Sequence, residues 1–507
     1  MMQRSLDFFT SELFHDVQMA RLFTDSKTFA DAVPKQNYKT AISAYNLVKN
    51  SNGFDLAVFV NSHFKMPIAP VPMDLRQQDT LLDYISHQWH ALARKPDGAV
   101  FSSLIGLKHP YIVPGGRFRE IYYWDSYFTS LGLAISGQVD MVKSMVKNFI
   151  DIQEHVGLIP NGNRSYYHTR TQPPVLALLL ELVLQHDSDV SIDSDNPFFS
   201  KCLSAIEQEY QVWMDGENLL SDSQTSHRRV VRIDGYCLNR YWDDAATPRA
   251  ESYREDIELT AHLPQAERAD FYRSIRAACE SGWDFSSRWL KDGETLASIH
   301  TIDILPIDLN ALLYKVEHDL AEYFSKLKQT QKAQNYAQRA RRRAQAIQTY
   351  LWDADAAWYF DYDFVAKQAK TTRSLAAIVP VFTGLSSQAQ AAELHSGVMQ
   401  DFLKEGGLLT TLTYSGQQWD APNGWAPLNY MACKGLLDYG FDSSAKEIIR
   451  AWLKSMETHF QATGNMMEKY DVVHLHAKAG GGEYAVQEGF GWTNGVTLAF
   501  HDLLKQL

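Results

Sequence analysis

An all-α fold, built from packed helix pairs that close into a ring, is what this sequence predicts, on three observations. Apolar residues recur at helical spacing in segment after segment from residue 78 onward, giving about a dozen helices. Long loops rich in Gly, Pro, Asn and Trp separate them, at 107–124, 157–174, 243–256, 405–427 and 464–494. No Pro/Gly/Ser-rich linker divides the 507 residues, although length alone would allow about three domains. Loops of that length inside a compact body are usually functional, and a toroid of about six helix pairs would gather them at one end.

The helices are read in order. Leu81, Ile85, Trp89 and Leu92 lie on one face at i, i+4, i+8, i+11. Val142, Met145, Val146, Phe149 and Ile152 form the next stripe, and Pro173-Pro174 open an almost wholly apolar helix that must be covered all round. Cys202, Ile206, Tyr210 and Trp213 mark a further helix, and Leu309, Leu312, Leu313, Val316 and Leu320 another. Segments 331–351, 385–403, 427–438 and 443–460 complete the series, while Trp358 to Tyr362 predicts a short hairpin. Arg339, Arg341, Arg342 and Arg343 sit in an Ala- and Gln-rich helix former and are expected on an exposed, solvated face.

Hydrophobic residues at 45% and aromatics at 12% supply a large core. The formal charge of −12 argues against a nucleic-acid partner, whose phosphates demand a basic face. Cys202, Cys237, Cys279 and Cys433 lack Cys-x-x-Cys spacing and read as small buried hydrophobes; His474 and His476 read as loop residues. No metal site is therefore expected. Acids interrupt the first apolar residues, where a signal peptide needs an unbroken run, and the longest apolar run, Val175 to Leu184, is well short of the roughly 20 residues of a membrane helix. The expectation is a soluble, cytoplasmic monomer with no membrane partner.

The stretch Pro114 to Phe128 interleaves cations, acids and aromatic rings after a Pro-Gly-Gly turn. That mixture suits a sugar, which offers hydroxyls to charged planar groups and a weakly apolar ring face to aromatics. The loop Gly157 to Pro174 adds Asn161, Arg164, Arg170 and Gln172. Arg249 and Glu251, taken singly, read as a structural ion pair. Asp284 lies between Trp283 and Phe285, surroundings that raise a carboxyl pKa. Glycosidic cleavage needs one protonated and one ionised carboxyl. Asp125, Glu251, Asp284, Asp420, Glu468 and Glu483 all have aromatic or glycine-rich neighbours, and spacing does not rank them.

Two stretches do so by likeness. Pro-Gly-Gly-Arg-Phe-Arg-Glu-Ile-Tyr-Tyr-Trp-Asp-Ser-Tyr and Gln-Trp-Asp-Ala-Pro-Asn-Gly-Trp-Ala-Pro resemble the two signature motifs of the trehalases of glycoside hydrolase family 37. The Ile-Pro-Asn-Gly-Asn-Arg loop and Gly-Gly-Gly-Glu-Tyr extend the resemblance over nearly the whole chain. It implies an (α/α)6 toroid at residues 76–507 with an N-terminal extension, 1–75, packed on it. It also implies inverting hydrolysis of the disaccharide α,α-trehalose without a cofactor. By similarity Asp284 is the general acid and Glu468 the general base. Arg117, Phe118, Trp124, Asp125, Asn161, Arg170, Gln172, Arg249, Glu251, Gly282, Trp419 and Glu483 would line the sugar subsites, under a flap from Ala479 to Tyr484. The alternative is another inverting toroid enzyme, a glucosidase or phosphorylase acting on a different α-glucoside.

Overall fold

The computed structural model describes residues 2–67, 80–98 and 102–507. From Leu81 onward, helices buried on one face alternate with helices buried almost all round. Leu81–Leu92, Val139–Val156, Pro197–Trp213, Thr330–Tyr350, Gln388–Gly397 and Asp442–Thr463 each turn a polar face outward. They alternate along the chain with Tyr123–Ile135, Leu176–His186, Ile307–Lys326, Val379–Phe382, Ala426–Asp438 and Gly491–Gln506, which are covered on most sides. The arrangement is an (α/α)6 toroid. Its ring closes where Tyr123–Ile135 packs along Gly491–Gln506. Glycine makes that crossing close: a Cβ on Gly132 would stand 2.6 Å from the Cα of Gly495.

The stripes that sequence periodicity picked out are the buried faces of their helices. Thr80 caps the first, its side chain accepting from Asp83 N, and Gly157, left-handed at φ 93°, ends the second. The helix after Pro173-Pro174 starts only at Leu176, and Gln388–Gly397 runs on into a π-helical turn, Val398–Phe402. Trp358–Tyr359 pairs back on Trp352–Asp353 as a hairpin. Among the described helices that the periodicity reading did not single out are Tyr123–Ile135, Arg268–Ser281 and Gly491–Gln506. The first and last are covered on most sides, so no contrast between faces remains to be read. In Arg268–Ser281 the stripe is hidden by charge, because Arg276 and Glu280 are buried through ion pairs with Asp243 at 2.9 Å and Arg229 at 2.5 Å.

Of the basic run, Arg341 and Arg342 are exposed as expected and Arg339 is half-exposed, but Arg343 departs from expectation. Arg343 is 3% exposed. Its Nε and Nη2 donate to Glu317 Oε1 at 3.0 and 2.9 Å, and Nη1 donates to Asn239 and Asn310. Partners on other elements make it a buried cross-brace rather than part of a solvated face. Cys202, Cys279 and Cys433 are buried and Cys237 is half-buried, all as free thiols.

Residues 2–67 form five short helices, of which those starting at Glu12, Ser26, Tyr38 and Leu56 are each capped by the Ser, Asp or Asn before them. Their rings, Phe8, Phe14, Phe29, Tyr38, Tyr45, Phe59 and Phe64, build a separate apolar cluster completed by Tyr122, Tyr166, Tyr167 and Ala250 of the toroid loops. A buried ion cluster fastens the two. Lys27 Nζ donates to Asp31 at 2.6 Å and Glu120 at 2.8 Å, and Arg164 Nε donates to Glu120 at 2.6 Å. Burial alone would raise the Glu120 carboxyl, but Lys27 and Arg164 reverse that and hold it well below the usual carboxylate range. The domain boundary expected at residues 75–76 lies outside the described residues. Among the described residues, no helix is long and apolar enough to cross a membrane.

Candidate active site

One cavity, at the loop end of the ring, gathers side chains from every long loop. Its first wall begins at Gly115 and Gly116, whose φ values of 126° and 57° turn the chain so that Arg117 N can donate to Gln487 Oε1 at 2.7 Å. Phe118 follows, edge-on to Tyr122, Tyr484 and Phe490. Tyr123–Ile135 then starts without a capping side chain of its own. Gln172 supplies one from the next loop, its Oε1 accepting from Trp124 N at 3.0 Å. Trp124 and Asp125, in the first turn of that helix, thereby reach the cavity.

Arginines are set by carboxylates. Arg170 Nε donates to Asn161 at 3.0 Å and its Nη2 to Glu251 at 2.6 Å. Arg249 forks onto Asp256, with Nη2 at 2.5 Å from Oδ1, and onto Glu483 at 2.9 and 3.1 Å. Arg249 and Glu251 are thus not paired with each other, as the sequence had implied, but each with a residue of another segment. Aromatic rings close the floor: Trp419 stacks on Trp425 at 3.9 Å with planes 1° apart, and on Trp283 at 5.3 Å. Gly282 ends Arg268–Ser281 in the left-handed region, φ 77°, where a Cβ would meet Trp124 Nε1 at 3.2 Å.

Asp284 lies two residues beyond that glycine. Among the described residues no other side chain donates to its carboxyl, and burial pushes it up to about 7, against the pull of its own backbone amide and Arg249. Glu468 Oε1 accepts from Tyr484 OH at 2.9 Å, while Oε2 is buried without a partner among the described residues. Burial raises this carboxyl too, opposed by Lys469, the Tyr484 hydroxyl and Arg117. Asp125 is raised well above its ordinary value by burial, with the charges of Glu468 and Asp284 adding to the shift. Glu251 moves the other way, because Arg170 and Arg249 outweigh its burial.

Every residue singled out by likeness to the family motifs lines this cavity. Asp420 and Arg164 do not. Asp420 accepts from the hydroxyls of Ser286, Ser287 and Thr411 and from Ser287 N, at 2.8–2.9 Å, and holds two loops together. Arg164 is taken up by Glu120. The lining also includes residues that sequence reasoning did not assign to it: Lys27, Tyr122, Tyr167, Ser252, Cys279, Trp425, Phe490 and Trp492. Trp425 sat in a quoted motif and was readable; Lys27 reaches the cavity only through partners 93 and 139 residues away. Of the segment expected as a flap, Glu483 and Tyr484 line the cavity, while Gly480 O accepts from Asn423 Nδ2 at 2.8 Å and Gly481 O from Lys469 Nζ at 3.2 Å.

The family model for trehalase matches residues 21–505. This chain belongs to the trehalase family. It is 43% identical to the periplasmic trehalase of Citrobacter koseri over 501 residues, covering 98% of this chain and 86% of that one. The identity to the periplasmic trehalase of Escherichia coli O1:K1 / APEC is 42%, covering 98% and 87%. Among solved trehalase structures, neutral trehalase Nth1 from Saccharomyces cerevisiae superposes with a TM-score of 0.64 at 27% identity, over 78% of this chain and 73% of that one. A GH63 mannosylglycerate hydrolase from Thermus thermophilus, at TM-score 0.53 and 17% identity over 83% of this chain and 100% of that one, shares the fold alone. These trehalase relatives correct the expected compartment. The similar bacterial proteins are named periplasmic, so the cytoplasmic expectation falls. It rested on acids that interrupt the first apolar residues.

Proposed function

We propose that this chain hydrolyses α,α-trehalose to two glucose molecules in one inverting step, with Asp284 as general acid and Glu468 as general base. The observation that carries the reading is that these carboxyls, far apart in sequence, meet in one cavity but differ in what steadies their charge. Asp284, at about 7, holds a proton near neutrality and can give it to the bridging oxygen. Glu468 has Lys469, Arg117 and the Tyr484 hydroxyl to favour its ionised form, and its unpartnered Oε2 is the atom to hold the attacking water. Water oxygen bonds to the anomeric carbon as the glycosidic bond breaks. Its proton passes to Glu468 while the proton of Asp284 passes to the departing oxygen. Arg117, Arg170 and Arg249, with Asn161, Gln172, Asp125, Glu251 and Glu483, grip the hydroxyls, and Phe118, Trp124 and Trp419 cover the ring faces.

In this reading residues 1–75 brace a catalytic body at 76–507, and the protein acts as a monomer without nucleic acid; light scattering during turnover checks the monomer. An inverting pair should stand about 6.5–9.5 Å apart, leaving room for water. NMR of the first products decides the stereochemistry: equal α- and β-glucose is expected, and two α-glucoses would sink inversion. Asp284→Ala and Glu468→Ala should each lower turnover by about 10²–10⁴-fold with the thermal unfolding curve in place.

A further inference from the structure

The basic run that the reaction does not use forms one side of a second cavity, of about 440 Å³. It lies between Thr330–Tyr350 and the three-stranded sheet of Ser226–His227, Val230–Ile233 and Tyr236–Asn239, and shares no lining residue with the active site. Arg232, Arg339, Arg342 and Arg343 face it, against two carboxylates, Glu217 and Glu317. Glu217 answers Arg339 at 2.9 Å, and Glu317 answers Arg343 at 2.9 Å. Among the described residues, Arg232 has only the highly exposed Asp222, at 3.2 Å. Arg342 spends one N–H on Gly235 O at 2.8 Å and has no carboxylate partner among the described residues. The lining is therefore left with positive charge to match.

A second feature narrows what matches it. Glu317 is 1% exposed, and its Oε1 already takes Tyr210 OH and two Arg343 donors. Its Oε2 is buried with no donor among the described residues, an arrangement that costs free energy until a donor arrives. A bare anion would satisfy the arginines and leave Glu317 facing a further negative charge. A neutral polyol would satisfy Glu317 and leave Arg342 without an anionic partner. We infer that this cavity binds a small phosphomonoester that also carries hydroxyls, of the sugar phosphate class. Its phosphate lies against Arg232, Arg339 and Arg342, and a hydroxyl donates toward Glu317 Oε2. A phosphate suits several planar N–H forks arriving from different elements, since each takes its own pair of oxygen lone pairs.

Calorimetric titration of the full chain tests this with glucose 6-phosphate, inorganic phosphate and glucose as probes. Glucose 6-phosphate should bind saturably, about tenfold tighter than either fragment, and Arg342→Ala and Arg232→Ala should each weaken it by about tenfold. Trehalose turnover by both variants should match the parent, because neither arginine touches the active site. Absence of saturable binding, parent affinity in either variant, or equal affinity for inorganic phosphate or glucose alone would overturn the proposal.

Discussion

Asp284 and Asp420 have the same local look in sequence, an acid beside a tryptophan, and the folded chain gives them opposite fates. Five donors hold Asp420, whereas among the described residues no neighbouring side chain donates to Asp284. With its carboxyl at about 7, Asp284 loses the proton it must donate as pH rises through that value, so kcat/KM should fall on the alkaline side above about pH 7. Glu483 helps hold that carboxyl up while Arg249 pulls it down. Glu483→Gln removes the first influence and frees the second, so the alkaline limb should move to lower pH; a limb that stays put or rises would contradict this electrostatic account. The aromatic flanks of Asp284 were enough to flag a raised pKa. What separates it from Asp420 includes the Ser286 and Ser287 donors, brought from over a hundred residues away, and no local pattern contains those.

Single elements were legible where one face was wet. Leu81–Leu92 and Val139–Val156 declare themselves because polar and apolar residues alternate with the helical turn. Tyr123–Ile135, which carries Trp124 and Asp125 into the cavity, did not, since nearly every position is buried. The N-terminal brace was named by likeness, but its fastening was not, because Lys27 and Glu120 are 93 positions apart. Lys27→Met would leave Glu120 and Asp31 buried with less positive charge and should cost about 3–5 kcal/mol in denaturant unfolding. Glu120 also makes stability depend on pH. Its folded pKa is depressed, so its contribution is complete above the ordinary value of 4.5 and is lost as pH falls towards the folded value. Glu120→Gln should flatten that acid limb while lowering stability at neutral pH; an unchanged acid limb would show that other carboxylates set it.

For the whole molecule, helix pairing and loops collected at one end could be read from periodicity and loop length, because both are properties of consecutive residues. Ring closure could not, since it joins helices more than 350 residues apart through the absence of side chains. At that crossing Gly132→Ala would gain up to about 1 kcal/mol of helix propensity. The new Cβ, 2.6 Å from backbone, would cost about 1–3 kcal/mol by overpacking. Because the obstacle is backbone and cannot turn aside, net loss is expected, read as a lower thermal midpoint with trehalose turnover falling in parallel; a raised midpoint would show that the two helices slide freely.

The same crossing has a consequence for biosynthesis. Gly491–Gln506 is the last of the described helices to leave the ribosome, and Tyr123–Ile135, which presents Trp124 and Asp125, has its largest contact with it. During translation that earlier helix must wait, its apolar sides unsatisfied, through the synthesis of more than 350 further residues. A nascent chain halted before residue 491 is therefore a target for chaperones rather than a slow enzyme.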